Sequence, residues 1–102
     1  MRSIRQKILG KYYDLLIART LQQKKKGMNI FKNSPKRTGM LFPYQDEIKN
    51  RSFTLSQTPF NLLVIFLDKN NNVVYQDIGR KNQIHPIICK KPSMTVIEIP
   101  IG

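Results

Sequence analysis

A chain of 102 residues supports one small domain, because its surface is too large for its volume to hold two cores. Hydrophobic residues make up 40%, outside the disordered range, and no apolar run approaches the ~18 residues of a membrane-spanning helix. Eighteen Lys and Arg against six Asp and Glu give a net charge of +12, and a lone cysteine, Cys89, excludes an internal disulfide.

Residues 1–11 read as a basic arm, with Ile4 and Ile8 spaced for a single helical turn before Gly10. The segment is basic and acid-free, as a mitochondrial presequence is, but its apolar stretch is too short for a secretory signal. An intracellular or particle-bound protein is expected rather than a secreted one. Residues 12–102 read as a single β-rich domain, opening with a first strand over 12–19 (YYDLLIAR). Thr20 with Gln23 three positions later fits a capping box, and Gly27 suits the stop of a helix of barely two turns. Successive helical residues step by about 100°, so Lys24, Lys25 and Lys26 fan out and at most two face one surface.

Residues 31–39 form a loop rich in Asn, Ser, Pro and Gly, and MLFPY (40–44) enters the core. Residues 46–51 read as a polar connection. Phe53 and Leu55 alternate with Thr54 and Ser56 as in a half-buried strand. The run Leu62 to Leu67 predicts a strand buried on both faces, Leu62, Val64 and Phe66 on one and Leu63, Ile65 and Leu67 on the other. DKNNN is a turn and VVYQDI the antiparallel return strand. Residues 79–93, with Pro86 and Pro92, read as a long connection, and MTVIEIP as the last strand. The fold class is therefore mainly β: a small antiparallel β-barrel or sandwich with one short helix after the first strand.

The charge is uneven. Residues 1–40 carry Arg2, Arg5, Lys7, Lys11, Arg19, Lys24, Lys25, Lys26, Lys32, Lys36 and Arg37 against Asp14 alone, a net of +10. Such asymmetry points to nucleic acid, RNA or DNA, or to another anionic surface. Apart from Arg19, these ten positions are the candidate nucleic-acid-binding residues. Tyr12, Tyr13 and Tyr44, near basic segments, are candidate stacking platforms or packing residues alike. Phe53, Phe60 and Phe66 fall at core positions.

Catalytic and metal chemistry have little to build on. His85 and Cys89 are the only residues of their kinds, and nothing marks them as an oriented dyad. A zinc site needs three or four such ligands. DKNNN opens like a calcium loop, but Val73 stands at the sixth position and Gly79 at the twelfth, where that loop needs Gly and a bidentate acid. No cofactor motif is present, and the expectation is a protein that is not an enzyme.

ARTLQQKKKGMNIF (18–31), GMLF (39–42), Phe53 with Thr58 five residues on, VIFLDKNNNVV (64–74) and TVIEIPIG (95–102) occur in an order and spacing that resembles the family called domain of unknown function 192. The likeness spans residues 13–102. It implies a small β-rich fold with a short helix near the start, and it implies no reaction. The family pattern carries Lys, Asn and Asp where this chain has Ser56, Gln57 and Leu63, so a polar site built from those groups is expected to be lost. The pattern also runs on beyond Gly102 with a helix and strand, which leaves the last strand here needing cover.

Two functions follow. The first is a non-catalytic structural or adaptor subunit of a large assembly, a virion or ribonucleoprotein, whose basic half contacts nucleic acid beside other protein subunits. The second is a free-standing small-ligand-binding domain or enzyme.

Overall fold

The computed structural model describes residues 1–55 and 57–101. Among the described residues eight strands form two sheets, accompanied by one short helix and a 3₁₀ turn. The larger is six-stranded in the order β1-β2-β3-β8-β5-β6, from β1 (Ser3–Ile8), β2 (Lys11–Ile17), β3 (Thr38–Ile48), β8 (Ser93–Pro100), β5 (Leu62–Leu67) and β6 (Val73–Gly79). The smaller pairs β4 (Arg51–Phe53) with β7 (Ile87–Cys89). The expected β-rich class holds in its sandwich form, and the sheet does not close into a barrel.

Residues 3–8 correct the reading of a basic arm with a helical turn. They form β1, an edge strand paired antiparallel with β2, so Ile8 faces the core and Ile4 pairs with Leu15. Leu9 and Gly10 both hold positive φ, 51° and 81°. Two positive φ values make a turn whose twist matches paired strands, and the spacing of Ile4 and Ile8 serves strand alternation equally well. The helix therefore follows the second strand, not the first.

β2 and β3 run parallel, which needs a crossover. Helix α1 (Leu21–Lys26) and a 3₁₀ turn (Gly27–Ile30) supply it. The capping box at its start is present in both directions: the Thr20 hydroxyl accepts from the Gln23 N–H at 3.0 Å, and the Gln23 side chain accepts from the Thr20 N–H at 3.2 Å. Gly27 ends the helix with φ 50°, redirecting the chain into the 3₁₀ turn.

Residues 46–51 are less of a connection than their polarity suggests. β3 runs on to Ile48 with a register shift after Pro43, then turns at Asn50, φ 58°, into β4. Proline donates no ladder hydrogen bond, and the pairing with β8 is interrupted after it and resumes at Ile48 with Ser93. Residues 79–93 likewise contain β7, which the two prolines mask in sequence.

β5 is buried along its whole length, and register sorts it as expected. Leu62, Val64 and Phe66 join Phe42, Met40, Met28, Phe53, Leu55, Ile87 and Cys89 in one core, between the six-stranded sheet and the layer of α1, the 3₁₀ turn and β4-β7. Leu63, Ile65 and Leu67 join Ile8, Leu15, Ile97 and Ile99 in a second. That second core is built from strand residues alone, with Ile101 at its margin. Its buried members are each 8% exposed or less.

Candidate functional site

The centre of the six-stranded sheet carries a carboxylate. Glu98 on β8 pairs with Met40 of β3 and Val64 of β5, both fully buried. Strand alternation puts its side chain on the face beneath α1, where it is 3% exposed. Gly27 passes directly above: a Cβ there would lie 3.5 Å from the Phe42 ring and 3.6 Å from the Glu98 Oε1. Burial pushes the Glu98 carboxyl up to about 8. The acid is therefore mostly neutral at pH 7 and can donate a hydrogen bond. Among the described residues, no side chain or backbone group hydrogen-bonds it and no cation pairs with it.

Glu98 and Phe42 floor a cavity of about 240 Å³. One wall is Lys24 to Asn29, and the other is Ser52, Phe53, Thr54, Gln57 and Thr58. The walls are tied where the Thr58 hydroxyl donates to the Asn29 side-chain oxygen at 2.7 Å. At the mouth stands Tyr44, with the Lys24 Nζ 4.3 Å and the Arg51 guanidinium carbon 3.9 Å from its ring centre. Burial and the charge of Arg51 hold the Lys24 ammonium below its usual range, while burial raises the Tyr44 phenol. Arg51 is fixed from behind: its Nε donates to Ser93 Oγ, and one terminal nitrogen donates to the Asp46 and Ser93 carbonyls. Two cations thus meet one aromatic ring with no carboxylate paired to either among the described residues.

A larger depression, about 380 Å³, lies among Val74, Tyr75, Ile88, Lys90 and Lys91, but no buried polar group opens into it. The cavity above Glu98 is the better candidate, because a nearly buried carboxyl lines it together with several other polar groups.

Lys24, Lys25 and Lys26 all border this one cavity, where the helical wheel allows two at most. The helix ends at Lys26, so the wheel no longer governs how the run meets the turn beyond it. Lys24 is half-buried; the other two are exposed. The remaining candidates are scattered. Arg5 pairs with Asp14 at 3.3 Å, and Lys7 stands 5.8 Å from the Tyr12 ring centre. Register puts both on the α1 side of the sheet and Lys11 on the opposite side with Ile8. Arg2 lies ahead of β1, and Lys32, Lys36 and Arg37 lie in the loop before β3, Arg37 5.9 Å from the Tyr13 ring centre.

A polar site built from the positions of Ser56, Gln57 and Leu63 was expected to be lost. Gln57 and Thr58 nevertheless border the cavity, Leu63 points into the second core, and Ser56 and Gly102 lie outside the described residues. Sequence reasoning missed Glu98 and Arg51. The signal for Glu98 was present: an acid inside the apolar run TVIEIP. His85 is exposed while Cys89 is fully buried, its thiol donating to the Lys91 carbonyl at 3.3 Å. Among the described residues no three His, Cys, Asp or Glu side chains cluster, and no helix is long and apolar enough to cross a membrane.

The sheet, crossover helix and enclosed acid define a small β-rich domain with a polar cavity on one face. The chain belongs to the family called domain of unknown function 192, described as an uncharacterised ACR, whose pattern matches residues 4–102. No curated protein matches it. It is similar in structure to a protein of unknown function from Novosphingobium aromaticivorans, with TM-score 0.80 and 19% identity, over 98% of this chain and 73% of that one. It is also similar to a candidate transcription regulator from Sinorhizobium meliloti, with TM-score 0.71 and 19% identity, over 96% of this chain and 78% of the other. At such identities the likeness defines the fold.

Proposed function

We propose that the domain binds a small anionic molecule in the cavity between α1 and the wall of Ser52, Phe53, Thr54, Gln57 and Thr58. The observation that carries this reading is Lys24, which lines the cavity against the Tyr44 ring without a carboxylate partner among the described residues, with the buried Arg51 against the same ring. Cations held in a partly dehydrated site attract an anion far more strongly than the same groups in open water. Ser52, Thr54, Gln57, Thr58 and Asn29 supply the polar contacts that orient a ligand in such a cavity. The test is titration of small anions, followed by amide chemical shifts. Shifts should concentrate at Lys24–Asn29 and Ser52–Thr58 and disappear in Lys24→Met. Shifts spread over the whole basic surface and unchanged in that variant would refute the reading.

A second reading keeps the basic half as a contact for nucleic acid within a larger assembly. It is favoured by one observation: of its ten basic candidates, Arg5 alone is ion-paired among the described residues. Phosphate contacts release counterions, with a salt slope near −0.7 to −0.9 per phosphate. Replacing Lys24 and Lys26 with Ala should then make the slope shallower by roughly one to two units. Binding that is independent of salt, or absent at low salt, would exclude it.

A further inference from the structure

We propose that the cavity selects a small organic anion with acceptor oxygens at both ends, a dicarboxylate being the simplest, held by Lys24 at the mouth and by a hydrogen bond donated from the Glu98 carboxyl at the floor. This rests on the reading of the cavity as an anion site and adds the chemistry of its far end.

The argument starts from what surrounds Glu98. Its strand neighbours Met40 and Val64 and the adjoining Phe42 offer no polar group, and Gly27 above it has no side chain. The titratable groups on the elements facing it are Lys24, Lys25 and Lys26 from α1 and Tyr44 from β3. None lies within ion-pair distance among the described residues. Ser52, Thr54, Gln57 and Thr58 opposite do not titrate. The carboxyl is 3% exposed and lines the cavity, so a group entering there is the one that reaches it and can take up its hydrogen bond.

Burial disfavours the charged form, so the acid presents an O–H. The strongest acceptor for an O–H is an oxyanion, because O–H···O⁻ bonds are short and charge-assisted. The same oxyanion would be repelled by an ionised Glu98. An amine-bearing ligand is the natural partner of an ionised carboxylate, but the three lysines lining the cavity oppose a cation's approach. Charge at the mouth and a neutral donor at the floor therefore favour acceptors at both ends.

Calorimetric or chemical-shift titration should use succinate and glutarate, with butyrate, inorganic phosphate and butylamine as comparison probes. The proteins are wild type, Lys24→Met, Glu98→Gln and Glu98→Ala, each at pH 7 and pH 9. Wild type should bind one dicarboxylate about tenfold tighter than butyrate at pH 7. That affinity should fall by about tenfold by pH 9 as Glu98 ionises. Glu98→Gln keeps a donor, so it should retain the pH 7 affinity within about threefold and lose most of the fall. Glu98→Ala should bind dicarboxylate and butyrate alike.

Lys24-dependent binding of butyrate or phosphate without dicarboxylate preference would overturn this inference and leave the anion site standing. No Lys24-dependent binding of any anion would overturn both. A preference for butylamine, or affinity rising from pH 7 to 9, would mean that Glu98 works ionised and would overturn it too.

Discussion

The guanidinium of Arg51 lies 3.9 Å from the centre of the Tyr44 ring, and the two residues sit on consecutive strands, β3 and β4, joined by the turn at Asn50. Arg51 is 7% exposed, and its three hydrogen bonds reach Ser93 twice and Asp46 once. It clamps β4 to the start of β8, and β4 carries one wall of the cavity.

Replacing Arg51 with Ala should destabilise the fold by about 2–4 kcal/mol, since it removes packing and leaves buried acceptors without donors. Arg51→Lys should recover part of this at most, because an ammonium cannot reproduce the planar fork that serves Ser93 and Asp46 together. Urea unfolding of both variants checks it. A loss below 1 kcal/mol for Arg51→Ala would mean that the clamp contributes little.

Gly39 on β3 has no room for a side chain. A Cβ there would collide with the Glu98 carbonyl oxygen and press on Ile99 and Leu15, 2.9 and 3.1 Å away. The carbonyl belongs to the neighbouring strand and cannot rotate aside as a side chain would. Gly39→Ala should therefore cost about 1–3 kcal/mol, and amide exchange should quicken first along β3 and β8. Unchanged protection in those two strands would contradict the close approach.

Glu98 gives stability a pH dependence of definite sign. Its carboxyl titrates at about 8 when folded, against 4.5 as the ordinary value. Between those pH values the unfolded chain releases a proton that the folded chain keeps. The stabilisation is whole below the lower value and is lost as pH rises through the upper one. The slope should be about 1 kcal/mol per pH unit, flattening above pH 8. Asp68, held below its usual range chiefly by the Asn72 N–H, acts only at the acid end, below the window of denaturant melts from pH 5.5 to 8. Glu98→Gln should flatten the curve, and a wild type equally stable at pH 6 and 8 would contradict the burial argument.

Cys89 is fully buried in the core beneath β4-β7. A thiol reagent should label it in native protein only through unfolding, and at full rate in denaturant. Labelling of the folded protein at the rate of a free thiol would show that β7 opens independently. Replacing the exposed His85 with Ala should leave stability unchanged within about 0.5 kcal/mol.

Much of the fold is written in local pattern. The six apolar residues of β5, the DKNNN turn, and Thr20 with Gln23 each specify their structure through contacts within a few residues. The structure follows them, down to which side chains of β5 enter which core. Where two periods coincide the sequence is ambiguous: Ile4 and Ile8 suit a helical turn or a strand, and pairing with β2 decides for the strand. Where polarity and proline dominate, as in 46–51 and 79–93, short strands exist because β4 and β7 find each other across the chain. The cavity is a tertiary product throughout. An acid inside TVIEIP announces a buried carboxyl, but Gly27, Lys24, Tyr44, Arg51 and Thr58 meet it from four distant segments. Composition determined that this small basic chain would fold around β-strands. Only strand order and the crossover of α1 could decide which of its charges face one another, because that depends on distances no local pattern encodes.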